Sequence, residues 1–289
     1  MKRSLRIIGA ASGLGAQDAG CEDGPVAFHH SQAWHELAHH PGVNWGQTLF
    51  ASDAKSHTPA MRIAGLCRHL ADEVEQTLVA GEFPVVLGGD HSIAVGTWSG
   101  VARHVGAPIG LLWIDAHLDS HTQETSYSGA IHGMPLAFLL GRGDKRLLEL
   151  GLPGRQLEPA HCVVFGARSF EPEEAEFLAS MQVRVIGQTE IEQRGFQAAF
   201  DEALAIVAGA PMGFGVSLDL DALDPAMAPG VGSPEPHGLA AHDVLNSLDR
   251  LAHGRGGLRC LEIVEYNPDR DRQGLTARLI SALIGEFLP

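Results

Sequence analysis

The sequence predicts an α/β domain built on a mainly parallel sheet, and three observations carry that expectation. Short apolar runs rich in β-branched residues recur along all 289 residues. Segments with apolar positions at helical spacing separate them. Charged clusters sit where the runs end, and open α/β sheets place their chemistry beyond the carboxyl ends of their strands. No linker, repeat or low-complexity tract interrupts the chain, so residues 1–289 read as a single domain.

In chain order, the opening residues 1–9 read as a first strand whose apolar pair Ile7 and Ile8 ends at Gly9. They lack the apolar core and cleavage site of a secretory signal, so the expected compartment is the cytoplasm. Over 61–80, Ile63, Leu66, Leu70, Val74 and Leu78 share one helical face, and Gly81 supplies a stop. Residues 84–87 form the next strand and end in Gly88-Gly89-Asp90; residues 111–114 form another and end in Asp115. Further strands are expected at 162–165, 183–186, 213–218 and 258–264. Helical periodicity returns at 200–207, 239–251 and 275–288. Strands alternating with helices imply βαβ units and a sheet covered on both faces.

Composition narrows the function. A hydrophobic content of 45% supplies a core, and no apolar stretch reaches membrane length. The formal net charge of −15 argues against nucleic acid as a partner and is compatible with a cationic substrate. Cys21, Cys67, Cys162 and Cys260 lie far apart with no CxxC pair, so buried free thiols are expected. Glycines 13–20 lack the Lys-Ser/Thr that a phosphate loop needs. Of 16 histidines, His29-His30 and His39-His40 read as structural or surface residues.

Three clusters carry the chemistry: Gly88-Gly89-Asp90-His91-Ser92, Asp115-Ala116-His117-Leu118-Asp119, and Ser217-Leu218-Asp219-Leu220-Asp221-Ala222-Leu223-Asp224-Pro225. Asp115, His117 and Asp119 alternate, as do Asp219 and Asp221, so extended backbone would project each set to one side. With His91 they offer two imidazoles and four carboxylates. Gathering four carboxylates without cations would be costly, and two dications relieve the repulsion. Such an oxygen-rich set suits manganese, with cobalt, nickel or iron feasible.

At these residues the chain resembles the arginase, or ureohydrolase, family, whose motifs are similar to GGDHS, DAHxD and SxDxDxxDP in this order. The likeness runs from Ile8-Gly9-Ala10 to Glu262-Ile263-Val264-Glu265-Tyr266-Asn267-Pro268. It implies a three-layer α/β/α fold around an eight-stranded, mainly parallel sheet, and assembly as trimers or hexamers. One metal would be held by His91, Asp115, Asp119 and Asp219, the other by Asp115, His117, Asp219 and Asp221, with Asp115 and Asp219 bridging. Ser128-Gly129-Ala130-Ile131-His132-Gly133-Met134-Pro135 is closer to the arginase segment SGNxHGxP than to its agmatinase counterpart.

The resemblance also assigns the substrate site. Glu265 would hold the guanidinium, Asp119 would take a proton from the attacking water, and His132 would shuttle protons. Ser128, Glu171 and Glu174 would meet the amino-acid end of the substrate, where His121 and Ala130 replace the usual asparagines and leave the tail specificity open. The expected reaction is L-arginine to L-ornithine and urea. Alternatives are hydrolysis of guanidinobutyrate, agmatine or formiminoglutamate, a one-zinc amide hydrolase of the same fold, and a non-catalytic binding protein.

Overall fold

The computed structural model describes residues 4–54, 56–253 and 256–288. Met1–Arg3 of the expected first strand fall outside them. Eight strands form one sheet: β1 Leu5–Ala11, β2 Val43–Phe50, β3 Phe83–Gly88, β4 Ile109–Ile114, β5 Leu157–Phe165, β6 Arg184–Ile186, β7 Phe214–Asp219 and β8 Leu258–Val264. Their spatial order is β2-β1-β3-β8-β7-β4-β5-β6, and every neighbouring pair is parallel.

Both faces of the sheet are apolar because alternate residues enter separate cores. Ile7, Val85, Leu112 and Val163 face the helices Phe196–Val207, Ala241–His253 and Leu275–Gly285. Ile8, Val86, Leu111 and Val164 face the helices Pro59–Val79 and Ala94–Val105. A parallel sheet buried on both sides therefore reads as continuous apolar runs. The predicted helix 61–80 is found as Pro59–Val79, capped by the Thr58 side chain on the Met61 N–H, with Gly81 at φ +79° beyond its end. All four cysteines are buried and free, as expected.

Register brings the chemical clusters to one rim. Ile114 lies beside Leu218, Asp219 beside Val264, and Leu87 beside Ile263, so β3, β4, β7 and β8 end at the same level. Residues at or just past these ends, His117, Asp119, Asp219, Asp221 and Glu265 among them, line one cavity. The Gly13–Gly20 segment crosses this rim, where the Gly15 N–H donates to the Asp90 carboxylate. Its backbone serves an internal carboxylate, in keeping with the absence of a nucleotide motif.

Candidate metal centre and substrate cavity

Asp90 shapes the first cluster without entering the cavity. Its Oδ1 accepts the Ser92 N–H at 2.9 Å, capping the 3-10 turn His91–Ile93, and its Oδ2 accepts from Gly15 N–H and Ser12 Oγ at 3.0 Å each. The turn delivers the His91 ring, which stacks on Trp113 with centroids 4.0 Å apart and planes 8° from parallel. His91 Nε2 lies 2.9 Å from Ser217 Oγ, and that hydroxyl donates to Glu262 Oε1 at 2.7 Å. Ser217 thereby accepts from Nε2–H, which leaves the lone pair of a neutral His91 on Nδ1.

That Nδ1 is the best indicator of a cation. It is buried, makes no hydrogen bond, and faces Asp115 Oδ2, Asp119 Oδ2 and Asp219 Oδ2 at 3.2, 3.1 and 3.1 Å. Donor atoms about 3.1 Å apart match the edge of an octahedron with metal–ligand bonds of about 2.2 Å. A second group lies alongside: His117 Nδ1 is 3.2 Å from Asp221 Oδ2 and 3.5 Å from Asp115 Oδ1. The two oxygens of Asp115 thus face different imidazoles, and the two sets Asp115 joins can each hold an ion. This donor set fits a pair of divalent cations.

Electrostatics agree. Burial first, then Asp221 and Asp115, push the Asp219 carboxyl well above its usual range. Burial and Asp115 likewise raise Asp119, to about 6. His91 moves the other way from what burial alone would do, because its three carboxylates favour the cationic ring. Negative charge concentrated in this way is relieved by bound cations.

The structure corrects two details of the expected arrangement. Asp115, His117 and Asp119 do not converge through strand alternation, because β4 stops at Ile114 and Asp119 turns back at φ +48°. Asp221 also sits in a 3-10 turn, Leu220–Ala222, beyond β7. Asp219 Oδ1 accepts the Asp221 N–H at 2.9 Å, and its Oδ2 lies 3.1 Å from His91 Nδ1. Asp115 makes comparable local bonds, its Oδ1 accepting the His117 N–H at 2.7 Å and its Oδ2 accepting Trp113 Nε1–H at 2.8 Å.

A cavity of about 200 Å³ opens over these groups, and its lining includes every predicted substrate residue. Glu265 is buried at φ +65°, just beyond β8. Its Oε1 accepts the His91 N–H at 2.8 Å and lies 3.1 Å from His132 Nδ1, while Oε2 accepts from Cys21 Sγ at 3.1 Å. Burial opposes ionisation of Glu265, but His132 holds its carboxyl below the usual range; reciprocally, Glu265 overrides burial and raises His132 to about 9. Toward the mouth, His121 bridges Thr125 Oγ1 at 3.0 Å and Glu171 Oε2 at 3.1 Å. Glu174 accepts the Ser120 and Glu171 N–H groups at 3.1 Å each, and burial raises its carboxyl to about 8. Ser128 Oγ accepts the Ala130 N–H at 3.2 Å, and Ala130 adds no polar side-chain atom.

Several supporting residues escaped the sequence reading. Cys21 read only as a buried thiol, and nothing local announces its bond to Glu265. Glu262 carried a usable signal, an acid inside the apolar strand 258–264, fully buried and met by Trp98 Nε1 at 3.0 Å. Arg168 donates to the carbonyls of Asp221, Ala222, Glu235 and Pro236, tying the loop around residues 235–236 to the second donor group.

The comparisons agree with this geometry. The model of the arginase family matches residues 3–288. An arginase from Brevibacillus brevis is 37% identical over 293 aligned residues, covering 98% of this chain and 97% of that protein; one from Bacillus caldovelox is 35% identical, covering 99% and 98%. The crystal structure of the Bacillus caldovelox arginase at pH 5.6 superposes with a TM-score of 0.91 at 34% identity, covering 100% of this chain and 98% of that one. An arginase from Bacillus cereus gives 0.90 at 34%, covering 98% of each. With the six candidate ligand side chains gathered at one rim and the likeness spanning almost every residue, the chain belongs to the arginase family of ureohydrolases.

Proposed function

We infer that this protein, as one ureohydrolase domain over residues 1–289, hydrolyses L-arginine to L-ornithine and urea using two manganese ions. The observation that carries the reading is the pair of imidazole–carboxylate groups sharing Asp115, with the Glu265 carboxylate lining the same cavity. His91, Asp115, Asp119 and Asp219 would hold one ion, and Asp115, His117, Asp219 and Asp221 the second. When bound, the cations supply Lewis-acid stabilisation and lower the pKa of water. A donor set for two ions also separates this site from a one-zinc amide hydrolase, and its intact donors speak against a binding protein.

The chain's own residues do the rest. Glu265 orients the guanidinium through a charge-assisted contact, which holds a weakly electrophilic carbon in position. Asp119, which lines the cavity, accepts the proton of the attacking water and passes it toward the departing nitrogen. His132 shuttles protons to or from solvent, and water and the guanidinium become urea and an amine. Glu171 and Glu174 face the ammonium of the amino-acid end, with His121 holding Glu171 in place. The Ser128 hydroxyl faces the carboxylate, while Ala130 widens the cavity. The working compartment is the cytoplasm and the assembly a trimer or hexamer, the latter open to light scattering.

The decisive experiment measures urea release by manganese-loaded protein from L-arginine, guanidinobutyrate and agmatine, alongside elemental analysis. Two manganese ions per chain and at least tenfold preference for L-arginine in kcat/KM are expected. Faster turnover of guanidinobutyrate or agmatine would move the assignment to that compound. One ion per chain with no urea from any compound would remove it.

A further inference from the structure

Glu265 holds an uncommon backbone conformation and a buried carboxylate, yet its two oxygens are served unequally. Oε1 has the His91 N–H at 2.8 Å and His132 Nδ1 at 3.1 Å, whereas the contact made by Oε2 is with the Cys21 thiol at 3.1 Å. Cys21 is fully buried in the 3-10 turn Ala19–Asp23, 244 positions away in sequence, so the bond joins the first crossing loop to the end of β8. Space around it is tight. A Cβ added at Gly232 would lie 3.2 Å from both Cys21 Sγ and Glu265 Oε2, so glycine lets that loop pass over the thiol–carboxylate pair. Burial, followed by the Glu265 charge, pushes the Cys21 thiol far above its ordinary value, which keeps the proton on sulfur and the group a donor.

A carboxylate pinned on one oxygen alone can swing about its last torsion, which is broad and roughly two-fold for glutamate. A donor on the second oxygen removes that freedom. We propose that Cys21 is a positioning residue for substrate recognition: its S–H fixes Glu265 Oε2 and so sets the direction in which the remaining lone pairs meet a guanidinium. The proposal rests on the reading of Glu265 as the guanidinium's partner. It makes no use of cysteine nucleophilicity or oxidation, for which the buried thiol is poorly placed.

The test compares Cys21→Ser, Cys21→Ala and Cys21→Val in the full-length, manganese-loaded protein, with L-arginine as substrate. Serine keeps a donor, whereas alanine and valine both remove it and differ in volume. Glu265 contacts the guanidinium before and during reaction, so losing its orientation is uniform binding and appears in KM. Alanine and valine should each raise KM about tenfold, while kcat stays within about threefold and serine stays close to the parent; two metal ions per chain should persist throughout. If KM instead follows side-chain volume, with serine and alanine alike, or if none of the three changes it, Cys21 is packing and the proposal falls. Glu265→Gln, run alongside, tells the two failures apart. An unchanged KM there removes the Glu265 assignment and the proposal with it, whereas a raised KM with silent Cys21 variants removes the proposal alone.

Discussion

Glu265 concentrates several demands on one residue: left-handed backbone, full burial, and a carboxylate among donors. A non-glycine residue at φ +65° costs roughly 1–3 kcal/mol, tolerated where surrounding structure over-determines it. Glu265→Gln keeps the volume but removes the charge and presents an amide to the N–H, imidazole and thiol around it. We expect kcat/KM for L-arginine to fall about a hundredfold or more, measured as urea release, because a charge-assisted contact to a guanidinium is lost; a fall under threefold would contradict its role. His132 permits a pH prediction. Its folded pKa of about 9 exceeds its ordinary 6.5, so the ion pair with Glu265 stabilises the fold fully below pH 6.5 and the contribution vanishes as pH rises through 9. The Tm advantage of the parent over His132→Asn should therefore shrink from pH 6 to pH 10. An advantage constant across that range would show the pair to be uncharged or broken.

Among the elements, β3 and the turn after it show how little slack the site has. Gly89 N–H donates to Ala10 O at 2.8 Å, and a Cβ at Gly89 would lie 2.0 Å from Ser12 O. Gly89→Ala must push the turn bearing Asp90 and His91 off the end of β1. Overpacking of this kind costs about 1–3 kcal/mol or more, to be read from urea denaturation, and manganese content should fall with it. Equal stability with both ions retained would show the turn to be compliant. The same crowding explains a helix that the sequence hid. Ala94–Val105 contains Gly96 and Gly100, which look like helix breakers, yet their missing Cβ atoms would meet Cys67 O at 2.7 Å and Ala71 O at 2.5 Å in the neighbouring helix. They are there for close packing. β2 was hidden for the opposite reason: as an edge strand, half-exposed along most of its length, it carries no apolar run.

Across the whole molecule, four carboxylates and two imidazoles are held together by a fold that must bear their repulsion when no cation is present. Cations that bind the folded but not the unfolded chain stabilise it by mass action, by about 2.7 kcal/mol when their free concentration is a hundred times Kd. Chelation should thus lower Tm by several degrees and abolish urea release, with both restored by added manganese. A Tm indifferent to chelation would mean that the rim is preformed without help from metal. Among the described residues no helix is long and apolar enough to cross a membrane.

The chain order of chemistry was legible without coordinates, because strands end where their apolar runs end and the ligand types that follow are unmistakable. His91, Asp115, His117, Asp119, Asp219 and Asp221 were named from that alone, as were the parallel sheet and the helix over 61–80. Tertiary structure decided what depends on distance rather than order. Only the register of β3, β4, β7 and β8 puts three carboxylate oxygens 3.1–3.2 Å from one imidazole nitrogen. Asp115 turns one oxygen toward each imidazole, a placement that the spacing of the motif does not specify. The Cys21 thiol reaches Glu265 through a contact between segments 244 positions apart, and local sequence carries no term for that. Residue type and periodicity act over a few neighbours, whereas the direction of a lone pair is set by everything packed around it.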